Sequence, residues 1–237
     1  MLILALDTTS EWGGAAVFRD EHCIAAAPHH EIATSSVSLF DDVDRLLGDA
    51  GIGFHDIELF AAASGPGSFT GIRVGLAAAQ GWSHAFGKPA RGVPVLDAMA
   101  EAAQAGTPRV FPVLDARRGE FYAGAFCRVA SAASDLRMEF AACGEAAVLN
   151  PEGLFRYLEK AGEVAGGAII ARDADAAAQS LRAKFEAQFE WKMIGSFLVP
   201  AIATLALRAE HDRQAGSPQE LSAFYVRRCD AELNWSE

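Results

Sequence analysis

Basic residues are scarce in this sequence: 20 Lys and Arg stand against 31 Asp and Glu, a formal net charge of −11 with an isoelectric point near 5.0. Holding a nucleic-acid backbone requires clustered cations that neutralise phosphates, so the chain alone is not expected to bind one tightly. Any such role needs a basic partner. Cysteine is equally sparse, with Cys23, Cys127, Cys143 and Cys229 far apart and no C-x-x-C pair. That spacing argues against a zinc ribbon or a disulfide framework, and the four read as reduced, buried small hydrophobes in a cytosol. Long apolar runs are missing too. The longest, Ile194 to Leu207, is interrupted by Gly195, Ser196, Pro200 and Thr204 and is too short to span a bilayer. The opening Met1 to Leu6 has no basic flank and stops at Asp7, so no signal peptide and a cytoplasmic location are expected.

Several catalytic signatures are absent. There is no G-x-S-x-G elbow and no Cys with a convincing His partner. In His29-His30-Glu31 adjacent side chains point apart, no His follows at i+3 or i+4, and His22, His55 and His84 fall in other elements, so no metal site is expected. No cofactor is expected either.

What is present is a folded α/β chain. A hydrophobic fraction of 51% and a charged fraction of 22% over 237 residues fit a globular protein of one large domain or two small packed ones. Two segments resemble each other: Leu2 to Asp7, a polar turn, then Gly14 to Phe18; and Val110 to Asp115, a turn, then Phe121 to Phe126. Each reads as strand, Asp, hairpin, strand. Their continuations run in parallel, giving a duplicated βββαβαβα, with the boundary near residues 106 and 107. The first continuation comprises a strand (22–27), a helix (34–50), a strand (58–63), a helix (69–86), a strand (90–93) and a helix (95–104). The second comprises a strand (137–142), a helix (151–161), a strand (168–171), a helix (175–189), a short apolar strand (197–199) and a helix (201–214). The last helix and tail, about 201–237, are candidates to return onto the first half. Asn150-Pro151 supplies a helix start, and Gly87 and Gly106 supply stops.

The most specific stretch is Ser64-Gly65-Pro66-Gly67-Ser68-Phe69-Thr70-Gly71-Ile72-Arg73-Val74-Gly75, which follows an apolar strand and opens a helix. It is not a P-loop, because Gly71-Ile72-Arg73 stands where Gly-Lys-Ser/Thr is required. Ser68 or Thr70 is the expected N-cap. Arg73, a cation in an early helical turn, is disfavoured by the macrodipole and calls for an anionic partner. Gly71, Gly75 and Ala79 leave one side of this helix almost bare, implying close approach by the chain's own sheet or by a second helix. The preceding helix carries Leu39, Val43, Leu46 and Leu47 on one face. Leu39, Val43, Gly71, Arg73, Gly75 and Ala79 are therefore the candidate partner-interface residues, against the alternative that they pack inside the chain. Asp7 and Asp115, each ending the first strand of its half, would face one another across a cleft able to hold a Mg-nucleotide. The turns after them, Thr8 to Gly13 and Ala116 to Gly119, are poor in glycine and do not offer a run of backbone N–H groups for phosphates.

Leu6-Asp7-Thr8-Thr9, the Ser64 to Gly75 block, Gly92-Val93 with Leu96, Leu114 to Tyr122 and Phe224-Tyr225-Val226-Arg227 together resemble the TsaB (YeaZ) family of bacterial tRNA threonylcarbamoyladenosine biosynthesis proteins. The resemblance implies an ASKHA (actin-like, Hsp70-like) fold in two subdomains. It also implies a non-catalytic partner of a TsaD-like catalytic subunit, acting with a TsaE-like ATPase on adenosine 37 of ANN-decoding tRNAs. It implies a homodimer when that partner is absent, tRNA contact only through the complex, and no membrane. The catalytic relative's His-x-x-x-His motif is missing here, and Thr34-Ser35-Ser36 replaces the usual His-Ser or His-Thr pair. The rival readings are an active ASKHA enzyme, such as a small kinase or glycoprotease-like hydrolase, and a purely structural homodimer.

Overall fold

The computed structural model describes residues 1–28, 32–104, 106–131, 134–162, 167–185, 189–212 and 221–227. The first half forms β1 (Leu2–Asp7), β2 (Gly14–Arg19), β3 (His22–Pro28), α1 (Ile32–Ala50), β4 (Leu59–Gly65), α2 (Phe69–Phe86), β5 (Ala90–Pro94) and α3 (Val95–Ala103), with a 3-10 turn at Phe54–Asp56. These strands make one sheet in the order β3-β2-β1-β4-β5, with β1 antiparallel to β2 and parallel to β4. The second half forms β6 (Arg109–Asp115), β7 (Phe121–Ala123), β8 (Phe126–Ser131), β9 (Ser134–Ala142), β10 (Ala147–Leu149), α4 (Pro151–Gly162), β11 (Gly167–Arg172), α5 (Ala176–Phe185), β12 (Glu190–Ile194) and α6 (Val199–Asp212). Its sheet runs β10-β7-β6-β11-β12, with β8 pairing both β6 and β9.

Both faces of β1 are buried, so it reads as a continuous apolar run rather than an alternation. Ile3 and Ala5 point into the largest core cluster, while Leu4 and Leu6 point into a second cluster with Leu39, Val43, Ile72 and Ala79 beneath α1 and α2. In the largest cluster α3 and α6 lie between the two sheets, joining Leu59 and Ala61 of one to Val110, Ala168 and Ile170 of the other. A third cluster, with Phe111, Val113 and Ile169, packs under α4 and α5. The layers are therefore α1/α2, sheet, α3/α6, sheet, α4/α5. Although α6 belongs to the second half, it packs on β1, β4 and β5. Arg91 donates to Glu210 at 2.6 Å, and Arg208 donates to both carboxylate oxygens of Glu101 at 2.6 and 2.8 Å, fixing α6 to the first half.

Helix ends follow local chemistry. Ser68 Oγ accepts from Gly71 N, Asn150 Oδ1 accepts from Gly153 N at 2.8 Å, and Gly87 closes α2 in the left-handed region. Helix α3 ends at Gln104, as its expected span does, and the left-handed cap is Gln104 itself rather than Gly106. Three expectations need correction. The single strand expected at Phe121 to Phe126 is broken at Gly124-Ala125, opposite Pro112, which has no N–H to continue the ladder; Gly124 N donates to Pro112 O instead. The last strand of the second half is Glu190–Ile194, not 197–199, because Val199 already opens α6 with Pro200 in its first turn, where a missing N–H costs nothing. Finally, Cys127 and Cys143 form a disulfide, and Cys23 is exposed rather than buried. Cys127 pairs in register with Ala141, and Cys143 N donates to Ala125 O, so the hairpin brings the two thiols together. Cys229 and His29 to Glu31 lie outside the described residues.

Candidate functional site

β1 delivers Asp7 to the end of its strand, fully buried. Its Oδ1 accepts from Thr9 N at 2.9 Å and from Thr9 Oγ1 at 2.6 Å, a local turn of the kind Asp side chains make with the backbone two residues on. Its Oδ2 lies 3.7 Å from Nη2 of Arg172, the last residue of β11 in the opposite sheet. Arg172 is 2% exposed and donates through Nη1 to Ser10 Oγ at 2.7 Å, so it joins the two halves twice. Burial pushes the Arg172 guanidinium below its ordinary value, opposed by the charges of Asp7 and then Asp175. Arginine stays protonated in proteins, so this remains a cation against an anion.

Above this pair lies a cavity of about 430 Å³ between the halves, lined by Ser10, Trp12 and Ser68 on one side and Asp115, Tyr122, Arg172 and Asp175 on the other. Asp115 N donates to Asp175 Oδ2 at 3.1 Å, and Arg117 N donates to Asp115 Oδ1 at 2.8 Å. Arg117, Arg118 and Gly119 are all left-handed, an unfavourable run for two non-glycine residues, closed by Ala116 N donating to Glu120 O. Asp115 therefore lines the cavity as expected. Asp7 does not confront it: Asp7 lies against Arg172, which the sequence reading did not single out. The signal that could have found it is an arginine directly after Ala168-Ile169-Ile170-Ala171, at the carboxyl end of a buried parallel strand, where ligand sites of α/β sheets gather. Among the described residues no group of three or more His, Cys, Asp or Glu is placed to share a metal ion.

The six candidate interface residues separate. Leu39, Val43 and Ala79 are 0% exposed inside the cluster under α1 and α2. A Cβ on Gly71 would stand 1.8 Å from Thr8 O and one on Gly75 2.4 Å from Thr8 Oγ1, so the close approach implied by the bare stripe is made by this chain's own β1 turn. Thr8 Oγ1 donates to Gly71 O at 2.6 Å. These five residues pack within the chain and offer no surface to a second molecule. Arg73 is exposed, but aromatic rings take the place of the anionic partner expected for it: its guanidinium sits 3.6 Å over the Phe69 ring, and its Nε donates to Tyr225 Oη at 3.2 Å. Tyr225 arrives from the C-terminal segment, where Phe224 N donates to Ser64 O and Arg227 pairs with Glu120. The outer face of α1 and α2 leaves other aromatics exposed: Phe40 is 54% exposed and Phe86 39%. Phe40 meets Trp82 edge-on, and Phe54 stacks on Phe86.

With this arrangement defined, comparison with known proteins decides the family. The family model for TsaD, described as tRNA N6-adenosine threonylcarbamoyltransferase, matches residues 25–190. The tRNA threonylcarbamoyladenosine biosynthesis protein TsaB of Bacillus subtilis is 32% identical over 126 residues, covering 53% of this chain and 55% of that protein. TsaB of Escherichia coli is 36% identical over 126 residues, covering 52% and 53%. The chain belongs to the TsaD family, as a TsaB/YeaZ member. It spans about half the length of the curated relatives it matches. YeaZ from Pseudomonas aeruginosa superposes with a TM-score of 0.66 at 21% identity, covering 94% of this chain and 99% of that one. The activator of the 2-hydroxyisocaproyl-CoA dehydratase from Clostridium difficile, solved with bound ADPNP, superposes at 0.50 and 9% identity, covering 93% and 99%. The fold of this TsaB/YeaZ member is thus the actin-like, ASKHA α/β architecture expected from its sequence.

Proposed function

We propose that this TsaB/YeaZ member is a non-catalytic subunit of the assembly that places a threonylcarbamoyl group on adenosine 37 of ANN-decoding tRNAs. It pairs with a TsaD-like catalytic subunit and works with a TsaE-like ATPase. The observation that carries the non-catalytic part is the occupation of Asp7 by Arg172. A carboxylate ending the first strand is where a metal-nucleotide would be engaged, and here a built-in guanidinium from the opposite sheet already neutralises it at 3.7 Å. A second positive charge brought beside Arg172 would be repelled. The net charge of −11 supports contact with tRNA through the complex rather than by this chain alone. Because the substrate is tRNA, the complex works in the cytoplasm.

Partner docking, in this reading, uses the outer face of α1 and α2 around Phe40, Trp82 and Phe86 rather than the buried stripe beneath it. Exposed aromatics of this kind are enriched at interface cores. The same face would serve a homodimer when the partner is absent, since related subunits present related surfaces.

Reconstitution tests the proposal. Unmodified tRNA incubated with the TsaD-like and TsaE-like proteins, ATP and the threonylcarbamoyl donor should gain the modification only when this chain is added, and the chain alone should modify nothing. Modification at an unchanged rate without it would refute the role. The rival reading, an active ASKHA enzyme, is favoured by one feature, the cavity bearing Asp115 between the halves. Binding of Mg-ATP by the isolated chain separates the two.

A further inference from the structure

A cavity of about 310 Å³ beside α4 has the Cys127–Cys143 disulfide in its wall, together with Arg109, Tyr157 and Lys160. We propose that it is a thiol-exchange site, where an anionic low-molecular-weight monothiol docks against Arg109 and Lys160 and reversibly opens the disulfide. The site goes beyond the subunit role and does not depend on it. Among the described residues its lining carries two cations and no carboxylate, in a chain whose net charge is −11. Arg109 stands opposite Cys127 in the antiparallel pairing of β6 and β8, so both side chains lie on one face of the sheet. Lys160 lines the same space from the last turn of α4. Cys143 is exposed and Cys127 half-buried, so the bond can be reached from outside. Exposed disulfides are the labile ones, in contrast to sealed structural bridges.

The chemistry is thiol–disulfide exchange. The thiolate of the incoming monothiol attacks Cys143 Sγ, the more exposed sulfur; the S–S bond breaks, and Cys127 leaves as a thiolate. A neighbouring cation lowers a thiol pKa, and a thiol of lower pKa leaves faster, so Arg109 opposite Cys127 favours departure from that side. A second monothiol then attacks the sulfur of the bound one, Cys143 leaves, and the two monothiols depart joined as their own disulfide. Two electrons and two protons have passed from the monothiols to the two cysteines. Opening does not release the loop that carries Cys143. Cys143 N still donates to Ala125 O at 2.8 Å, and Tyr157 Oη donates to Glu145 O at 3.2 Å. The two thiols therefore stay adjacent after reduction, and an oxidised monothiol can close the bond again by the reverse steps.

The oxidised full chain should be treated with three thiols of similar size and different charge: 2-mercaptoethanesulfonate, 2-mercaptoethanol and cysteamine. Alkylation followed by mass spectrometry of the Cys127 and Cys143 peptides reads the opening. With rates expressed per thiolate, the anionic sulfonate should open the pair about ten-fold faster than cationic cysteamine, with the neutral thiol between them. The first adduct should map to Cys143, and the oxidised form of the sulfonate thiol should close the pair again. Lys160→Gln, at the exposed end of α4, should narrow the sulfonate-to-cysteamine ratio about three-fold, and Arg109→Gln should do the same. If Arg109→Gln does not fold, Lys160→Gln and the thiol series on the unaltered chain decide. The proposal fails if the pair is not formed in chain purified without reductant or if millimolar sulfonate thiol leaves it closed. It fails equally if the three thiols act at one rate per thiolate, or if the first adduct sits on Cys127.

Discussion

Arg172 and Asp7 reach each other from opposite sheets, 3.7 Å apart, with side chains 2% and 0% exposed. A buried ion pair adds little net stability, because desolvating two charges offsets their attraction, but losing one partner strands the other. Arg172→Met should therefore destabilise the chain by about 3–5 kcal/mol. The double variant Asp7→Asn/Arg172→Met should recover most of that loss. Urea unfolding of the two single variants and the double variant measures the coupling; additive single effects would show that the pair does not act as a unit.

The glycine stripe of α2 is a matter of folding. Gly71→Ala puts a Cβ 1.8 Å from the Thr8 carbonyl oxygen, a backbone atom that cannot rotate away. Overpacking of this kind typically costs about 1–3 kcal/mol, and Gly71→Ala should reach the upper end. Gly75→Leu should also lower the melting temperature, since it meets Thr8 Oγ1. Unchanged thermal unfolding in both variants would contradict the packing described.

Phe40 tests the partner face without touching the core. At 54% exposure its main contact is the edge of Trp82, so Phe40→Asp should alter stability by no more than about 1 kcal/mol, the value of one aromatic pair. Affinity for the TsaD-like subunit, read by calorimetry, should fall at least ten-fold. Full affinity in the variant would move the interface elsewhere.

The first half was legible because its signals agree: the apolar strand, the Ser68 cap and the Gly87 stop are each local and each decisive. The second half was less so. Pro112 breaks a hairpin strand through a missing N–H on the neighbouring strand, an effect no window around Phe121 to Phe126 contains. The stripe of Gly71, Gly75 and Ala79 correctly announced a close approach, but sequence spacing cannot say whether Thr8 or another subunit makes it. Asp7 and Asp115 were visible as strand ends. Arg172 was not, because its partner lies 165 positions away and its meaning depends on which strand end faces which. The Cys127–Cys143 pairing, across only 16 residues, was hidden because it depends on the β8/β9 hairpin and its register.

Asp97, in the first turn of α3, gives a pH test. Burial pushes its carboxyl up to about 6, against a backbone hydrogen bond that lowers it. The folded value thus exceeds the unfolded one near 3.8, so the folded state holds the proton more tightly. Its contribution is fully present below the unfolded value and is lost as pH rises toward about 6, beyond which the loss is complete. The loss amounts to about 3 kcal/mol. Asp97→Asn should remove this slope, leaving the variant more stable than the parent near neutral pH and about equal to it near pH 4. Parallel urea midpoints that stay equal across the range would contradict the burial of this carboxyl.

The most direct measurement is calorimetric titration of the isolated chain with Mg-ATP. With Arg172 in place as the counter-charge of Asp7, no saturable heat should develop up to millimolar nucleotide. One-to-one binding in the micromolar range, with phosphate released on standing, would mean that Asp7 engages a metal-nucleotide despite Arg172. The chain would then be an enzyme in its own right.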